Sequence, residues 1–349
     1  MKNKRILFGV ILIFIILGTL VSYEWYGAFK KSRLIEQGIY PKEPFPIAPG
    51  TPWYLIPFYT LLSYLQKAWF CLGMAFLIAG AVETFIPKEL IIKHLGKRSP
   101  KAYLIAAFGG PLLSVCSCSI IPLFAAIKKR GAGLGPAITF LLATPAINPA
   151  AIILTFSLLN WKFVIGRIVL ALSAAIITGL IIEKIWGKEE VAQLSTLKIE
   201  YQEKPLDLKK DLIEWLKNVL DFVKKILPLV LIGIFIIGMV KIILKPEIIS
   251  HYLGQGLWQI ALASIMGVVM YTPTLVEIPF VKELLGFGMG TGPALAFLLT
   301  GPALSLPSML GVSKVIKWKI VLNYALIMWI VGIIGGLLFA HFVPQIKLI

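Results

Sequence analysis

Long apolar runs alternate with short polar stretches along most of the chain. The first run lies within residues 1–22, and two much longer hydrophobic blocks follow at residues 67–184 and 226–341. Single runs within these blocks are long enough to cross the ~30 Å hydrocarbon core of a bilayer as helices. The pattern predicts an all-α integral membrane protein with about seven to nine transmembrane helices.

Two polar stretches separate the apolar regions. Residues 23–66 hold a Pro-rich loop and then an aromatic segment suited to the headgroup interface. Residues 185–225 form a charged, cytoplasmic linker whose last part is amphipathic. Its apolar face consists of Leu208, Leu212, Trp215, Leu216, Val219, Leu220, Val223 and Leu227. We expect this helix to lie on the membrane surface and to lead into the next span.

The two hydrophobic blocks share motifs at one constant spacing. The matching pairs are Ile121-Pro122 with Ile278-Pro279, Gly135-Pro136 with Gly292-Pro293, and Trp161-Lys162 with Trp318-Lys319. Each pair is separated by 157 residues, the difference between positions 278 and 121. One register held across separate motifs predicts an internal duplication, an architecture common among transporters.

Basic clusters at the ends of the apolar runs predict the side that each segment faces. Lys2, Lys4 and Arg5 place the N-terminus in the cytoplasm by the positive-inside rule. The cluster at residues 128–130 and the lysine-rich linker at residues 185–225 also fall in the cytoplasm if the segment 102–127 enters the bilayer and turns back. Each block then has three full spans and one re-entrant segment, and the second block is inverted relative to the first. A full crossing at residues 102–127 remains the alternative.

Composition supports a membrane protein and argues against soluble classes. Of 349 residues, 58% are hydrophobic and only 15% are charged, with a mean hydropathy of +0.88, whereas soluble domains carry about 25% charged residues. The net charge of +17 comes from clusters at the ends of apolar runs, so we expect no nucleic-acid partner. The N-terminus resembles a signal sequence, but its long apolar stretch lacks a small-residue cleavage site and predicts an uncleaved helix.

Each hydrophobic block contains two interrupted apolar segments. They are residues 109–122 and 144–149 in the first block, and residues 271–279 and 301–307 in the second. A proline there frees a backbone carbonyl, and the following helix start offers unpaired N–H groups. Non-helical backbone inside a bilayer is tolerated only where it packs in protein or lines a cavity. We therefore expect the breaks to converge on a polar solute site near the midplane; ordinary proline kinks are the alternative.

Polar side chains within these breaks are the candidate solute ligands. They are Ser117, Thr144, Asn148, Thr272, Glu277 and Ser305. Glu277 is singled out because a carboxylate at membrane depth has to be protonated, paired or facing water. It is predicted to couple transport to a proton or a cation, unless its segment is shallow and lies near the interface. Glu83 and Arg167 lie nearer span ends and are expected to anchor or pair there.

Cys116 and Cys118 lie in the first break as Cys-Ser-Cys-Ser. Two thiolates held close in a turn can chelate a soft metal or metalloid such as Cu(I) or trivalent arsenic. Buried cysteines are also common as small apolar fillers. The second block has no cysteine at this place, so a thiol site would be asymmetric. With Cys71, the chain has three cysteines, too few for a disulfide framework.

Four motifs of the first block resemble the ArsP-type predicted permease family. They are Cys-Ser-Cys-Ser-Ile-Ile-Pro-Leu at 116–123, Lys-Lys-Arg-Gly-Ala at 128–132, Leu-Gly-Pro-Ala at 134–137 and Leu-Leu-Ala-Thr-Pro at 141–145. The resemblance extends over both blocks and implies a membrane permease. Some members export trivalent organoarsenicals, and cysteines of the first repeat are implicated there. The resemblance therefore makes Cys116 and Cys118 candidate ligands for the solute.

Three functions remain open. The chain is a secondary transporter of a thiol-reactive solute, a permease for another small solute or ion with structural cysteines, or a membrane thiol–disulfide carrier. The last is disfavoured because a Cys-x-Cys disulfide is strained and the second block has no cysteine to relay electrons. We see no phosphate-cradling loop and no His/Asp/Glu cluster, so we expect neither an enzyme nor a bound cofactor. The expected partners are a small-molecule substrate and the lipid bilayer of the cell membrane.

Overall fold

The structure, a computed structural model, is helical throughout the part of the chain that it describes. It describes residues 2–36, 51–96, 99–113, 117, 119–195, 207–243, 254, 256–270, 277–286 and 288–343, and no strand occurs among them. The helices are α1 Lys2–Glu36, α2 Ile56–Phe85, α3 Lys88–Leu95, α4 Pro100–Gly109, α5 Ile120–Lys129, α6 Leu134–Ala146, α7 Pro149–Leu158, α8 Trp161–Ser195, α9 Leu208–Ile243, α10 Leu257–Met270, α11 Glu277–Gly286, α12 Thr291–Ala303, α13 Leu306–Val312 and α14 Trp318–Phe342. Short 3₁₀ turns occupy Trp53–Leu55 and Pro111–Leu113.

Five segments of the described residues are long and apolar enough to cross a membrane. They are Arg5–Gly27, Leu134–Leu158, Trp161–Gly187, Thr291–Val312 and Trp318–Phe342. A sixth is added if the two arms of α2, which bend by 61°, form one span. The chain is therefore a multi-pass membrane protein, while the expected seven to nine spans are not confirmed within the described part.

Helix boundaries repeat with the spacing found in the sequence. The starts of α5, α6, α7 and α8 are followed 157 residues later by the starts of α11, α12, α13 and α14. Helices α5 and α6 also have the same lengths as α11 and α12. Proline and glycine punctuate both copies at these positions, which explains why the same pattern of short helices recurs.

Equivalent helices of the two copies meet in opposite directions. In the contact between α8 and α14, Phe163 lies 5.0 Å from Phe339 between ring centroids, and Leu170 further along α8 lies against Gly335. Helices α2 and α9, which the same spacing relates, are also antiparallel, because Pro57 contacts Gly238 and Leu77 contacts Trp215. The second copy is therefore inverted relative to the first, as predicted.

The segment from α4 to α5 turns back on itself. Gly133, after α5, donates its N–H to the carbonyl of Leu95, before α4, at 2.9 Å. Gly131 packs closely against Ile92 and has a φ of +92°, a conformation that glycine adopts without a steric penalty. Both ends of the segment therefore lie at the same face of the molecule, as the re-entrant interpretation requires.

Helix α9 runs without interruption from the amphipathic segment into the apolar one. Trp215 donates its indole N–H to the carbonyl of Leu77 at 2.9 Å, and Asn218 donates to Thr84 at 3.0 Å. These contacts seat one side of α9 on α2. The leucines at 208, 212, 216 and 220 lie on the exposed side. The predicted position of this helix on the membrane surface stays a prediction.

One glycine pair in each copy brings two helices into backbone contact. Gly135 of α6 faces Gly179 of α8, and Gly292 of α12 faces Gly336 of α14. A Cβ atom added at Gly179 would lie 2.7 Å from the carbonyl oxygen of Gly135, and one at Gly292 would lie 2.7 Å from that of Gly336. Small residues allow such close packing of helices in membranes, where van der Waals contact drives association.

Candidate functional site

A buried ion pair joins the two copies. The guanidinium of Arg167 on α8 lies 2.6 Å from the carboxylate oxygen Oε1 of Glu277, the first residue of α11. Both side chains have an exposed fraction of 0%. Moving two charges into such an environment is costly unless geometry and additional hydrogen bonds compensate for the lost water. This pair is therefore the candidate centre of the site.

Arg167 is held at a second place by the first helix break. Its Nε donates to the carbonyl of Ala146, the last residue of α6, at 2.7 Å. That carbonyl is free because Ala150, its usual helical donor, bonds the side chain of Asn148 at 2.9 Å instead. A cation at the C-terminal end of a helix is also favoured by the helix dipole. The broken backbone thus positions the guanidinium.

A third contact fixes the outer edge of the guanidinium. Arg167 Nη1 donates to the hydroxyl oxygen of Thr155 on α7 at 3.3 Å. The same hydroxyl donates to the carbonyl of Ala151 at 2.7 Å, which orients its lone pairs towards Arg167. Arg167 therefore contacts α6, α7 and α11, and its position is well determined.

Glu277 is held by fewer contacts. Its Oε1 accepts from Arg167, whereas its Oε2 is buried and has no hydrogen-bond partner among the described residues. Oε2 faces α12, where it lies 3.6 Å from the position that a Cβ of Gly301 would occupy. One oxygen of the carboxylate is thus satisfied and the other faces the second helix break.

The second break has unsatisfied polar groups of its own. Pro302 has no N–H, so the carbonyl of Leu298 lacks its helical donor. Ser305 directly precedes α13, yet its hydroxyl does not cap this helix and is buried without a partner among the described residues. Asn148, its counterpart 157 residues earlier, does cap its helix. The two breaks are alike in backbone and different in their polar side chains.

The other predicted site residues divide into two groups. Ser117 is buried, and Thr144 is buried in α6, donates to its own helix at Phe140 and contacts Gly110. Cys116, Cys118 and Thr272 lie outside the described residues. The predicted thiol site for a soft metal therefore stays a prediction. In the described part of the chain, no cluster of three or more His, Cys, Asp or Glu side chains could hold a metal ion.

Arg167 is the functional candidate that sequence reasoning placed least well. It was expected to anchor or pair near a span end, as Glu83 does by approaching Lys129 at 3.6 Å. It does pair, but in the fully buried centre and with Glu277. A signal was present, since Arg167 is an isolated charge in the apolar run at 163–182 and Glu277 is isolated in the opposite copy. Two lone, opposite charges in apolar segments favour each other as partners.

The ion pair has no equivalent at the related positions. The residues 157 positions away from Arg167 and Glu277 are Tyr324 and Ile120, both buried. The inverted copies therefore form one asymmetric polar centre and not two identical ones.

Comparisons with known proteins agree with this architecture. The family model of a predicted permease, ArsP_1, matches residues 56–341. The UPF0718 protein MJ0584 of Methanocaldococcus jannaschii is 35% identical over 76% of this chain and 90% of its own length. The UPF0718 protein YraQ of Escherichia coli is 24% identical over 83% of this chain and 82% of its own length.

A third relative, from Streptococcus mutans, is named as a two-component membrane permease complex subunit. It is 23% identical over 75% of this chain and 88% of its own length. No solved structure matches the chain. The family match spans well over half of the sequence and both copies of the fold, and the chain therefore belongs to the ArsP_1 family of predicted permeases.

Proposed function

We propose that the chain is a secondary permease that moves a small solute across the cytoplasmic membrane, with its transport site at the Arg167–Glu277 pair. The observation that carries this proposal is a fully buried ion pair between two inverted copies, next to their helix breaks. Transporters of inverted-repeat architecture bind solute and coupling ions at such breaks. Membership of a predicted permease family supports the same assignment.

The pair suits a site that opens alternately to each side. Arg167 belongs to one copy and Glu277 to the other, so relative rocking of the copies changes their separation. Under this proposal, Thr144 and Asn148 at the first break and Ser305 at the second supply solute-binding groups. Ser117 and Thr272 are proposed to complete the site, and Glu277 to couple solute movement to a proton or a cation.

A trivalent organoarsenical is the second candidate for the solute. Cys71 on α2 is buried, and its Sγ lies 3.1 Å from the hydroxyl of Ser119, which follows Cys118 in the sequence. A third thiol beside the Cys-Ser-Cys-Ser motif suits a trivalent centre that prefers sulfur ligands. Under this proposal Cys116 and Cys118 are the principal ligands.

The permease proposal is tested by ligand-induced stabilisation followed by transport. Purified protein is screened against small organic anions, cations, sugars and a trivalent methylated arsenical, because a ligand that binds only folded protein raises the Tm. A true substrate raises the Tm of the wild type and of Glu283→Gln, an exposed acid on the same helix, and not that of Glu277→Gln. It also accumulates in everted vesicles. A solute that binds but is never transported in either direction would contradict the proposal.

The arsenical proposal is tested by the cysteine variants. Everted vesicles containing wild type, Cys116→Ser, Cys118→Ser or the double variant are compared for uptake of the trivalent methylated arsenical. Cysteine-dependent uptake supports export of a thiol-reactive solute. Uptake that is absent, with folded protein present in the vesicles, leaves the permease proposal in place and assigns the cysteines a structural role.

A further inference from the structure

We infer that the coupling ion is a proton, and that it binds Oε2 of Glu277 where this oxygen faces the break between α12 and α13. The inference rests on the proposed function and specifies its coupling step. It assigns different tasks to the two oxygens of one carboxylate, with Oε1 bound to Arg167 and Oε2 left to take up the proton.

Oε2 faces the second break, where other polar groups also lack partners among the described residues. The carbonyl of Leu298 has lost its helical donor to Pro302. The hydroxyl of Ser305 is buried and has no partner among the described residues. An ionised oxygen that is buried without a hydrogen bond pays the full desolvation penalty, and uptake of a proton at Oε2 removes the charge from this oxygen.

Comparison of the two breaks indicates that this position takes a cation. In the first break, the carbonyl of Ala146 is bound by the fixed guanidinium of Arg167. The equivalent carbonyl in the second break belongs to Ala303, and the position equivalent to Arg167 is Tyr324. The first break thus carries a permanent positive charge and the second does not. A transferable proton provides at the second break what arginine provides at the first.

The scarcity of side-chain ligands beside Oε2 favours a proton over a metal cation. Oε2 faces Gly301, which has no side chain, and the described helices α7 and α12 that pack against α11 carry no carboxylate. A sodium ion needs several oxygen ligands and a volume of its own, whereas a proton needs neither.

Arg167 governs the charge state of Glu277 almost alone. Helices α7 and α12, which pack against α11, carry no titratable side chain in their described sequences. The other charged residues of α11 are Lys282 and Glu283, of which Glu283 is exposed. Arg167, from α8, is the charge that faces the carboxylate.

Proton uptake has a direct consequence for the ion pair. The deprotonated pair has no net charge, and the protonated pair carries one positive charge in a buried site. A buried charge without a counter-charge is strongly unfavourable. Protonation therefore favours either separation of the two copies at this contact or arrival of an anionic group at Arg167. Release of the proton to water on the other side restores the original pair.

The inference is tested by following the carboxyl group itself. Full-length protein in lipid vesicles is titrated with acid, and difference infrared spectroscopy records the C=O band of a protonated, buried carboxylic acid. Glu183 and Asp211 are also buried and contribute bands of their own, so the diagnostic band is the one that is absent in Glu277→Gln and retained in Glu283→Gln. Arg167→Lys keeps the positive charge but loses the planar guanidinium. We therefore expect the proton affinity of Glu277 to rise at least tenfold, which moves the titration midpoint to higher pH. Ser264→Ala, which removes a buried hydroxyl bonded within its own helix, is the matched control with an unchanged midpoint.

Sodium provides the second measurement, and its expected outcome is observed with the wild type alone. At fixed pH, added sodium chloride is expected to leave the carboxyl spectrum and the Tm of the wild type equal to those in choline chloride. A sodium-specific shift that disappears in Glu277→Gln overturns the inference in favour of a metal cation. The absence of a Glu277-dependent protonated carboxyl band across the titration also overturns it. In both cases the permease proposal stands, because neither measurement depends on transport.

Discussion

Arg167 and Glu277 differ in how firmly each is held. The guanidinium contacts a backbone carbonyl, a threonine hydroxyl and a carboxylate, whereas the carboxylate has one bonded oxygen. Removing either partner leaves the other as an uncompensated buried charge, which typically costs about 3–5 kcal/mol. Replacing both by apolar side chains of similar volume is often neutral. The pair thus contributes little to stability for its cost, and its presence in the centre of the fold supports the proposed role in transport.

Single and double substitutions at the pair separate stability from function. We expect Arg167→Met and Glu277→Met each to lower the free energy of unfolding by about 3–5 kcal/mol. The double variant is expected to be more stable than either single variant, because no isolated charge remains. Thermal unfolding of the detergent-solubilised protein, monitored by gel filtration, measures all three.

Transport by the double variant completes this test. We expect it to fold and reach the membrane but to lose solute-dependent stabilisation and uptake. A double variant with wild-type uptake would show that the pair serves only the structure. Lys225→Met, which removes an exposed pair with Asp221 at 2.9 Å, is the control and should leave the stability close to that of the wild type.

The sequence identified one half of this pair and misplaced the other. Glu277 stands out because a lone acid in an apolar, proline-broken segment is costly in any fold. Arg167 has the same property, yet its position six residues after the start of the run at Trp161 favours an anchor near the interface. The structure shows that the Arg167 side chain is fully buried although Ile165 and Val169 on the same helix are exposed, because it reaches Thr155 on α7 and Glu277 on α11. Burial by other helices cannot be read from a single segment.

At the scale of helices, the two glycine crossings determine how closely each copy packs. Gly179 of α8 and Gly336 of α14 are related by the 157-residue spacing, and each touches the backbone of the helix that precedes the break. These contacts hold α6 against α8, which carries Arg167. In the second copy they hold α12 against α14, the counterpart of α8.

A methyl group at either crossing is expected to separate these helices. In Gly179→Ala and Gly336→Ala, the new Cβ would lie 2.7 Å and 2.9 Å from a backbone oxygen that cannot rotate away. Overpacking of this kind costs about 1–3 kcal/mol, which exceeds the gain of about 1 kcal/mol in helix propensity. We expect a lower Tm and weaker solute binding for both variants.

The control for this prediction is Gly73→Ala in α2. Nothing lies within 4 Å of the position of its added Cβ, so only the favourable propensity term remains. Its Tm should equal or exceed that of the wild type. If Gly336→Ala behaves like Gly73→Ala, the close crossing of α12 and α14 is not present in the protein.

Helix breaks were predictable from sequence, and helix contacts were not. Pro145 and Pro302 mark where α6 and α12 end, because proline removes a donor and disfavours a continuing helix. Gly179 and Gly336 lie in uniform apolar runs, where a glycine does not by itself predict a close contact between helices. Their role becomes visible only once the fold shows which helix crosses them.

At the scale of the whole molecule, the ends of several helices form one surface, which we call the N-terminal face. Arg5 of α1 pairs with Asp211 of α9 at 2.7 Å, and Lys129 of α5 approaches Glu83 of α2. Helix α8 ends near this face, because its Glu183 accepts from the N–H of Gly135 at the start of α6. Helix α14 is antiparallel to α8, so its C-terminal end lies at the opposite face.

The sequence predicted this arrangement through charge and repetition together. The 157-residue spacing established that there are two copies, and the basic clusters favoured an inverted second copy with a re-entrant segment in the first. The number of full spans was not fixed in this way. Broken helices such as α6 and α7 add up to one span, and hydropathy alone does not separate a broken span from two short segments.

The orientation of the N-terminal face follows from the positive-inside rule and can be measured in cells. The basic cluster at residues 128–130, Arg5 and the lysines of the start of α9 all lie at this face, which is therefore predicted to be cytoplasmic. A short fragment of split green fluorescent protein is fused to the N-terminus, inserted in the linker at residues 196–206, or fused to the C-terminus. With the complementary fragment expressed in the cytoplasm, we expect fluorescence from the first two fusions and none from the third. Fluorescence from all three would mean that α14 does not end at the opposite face, which is incompatible with an antiparallel α8 and α14 and with an inverted second copy.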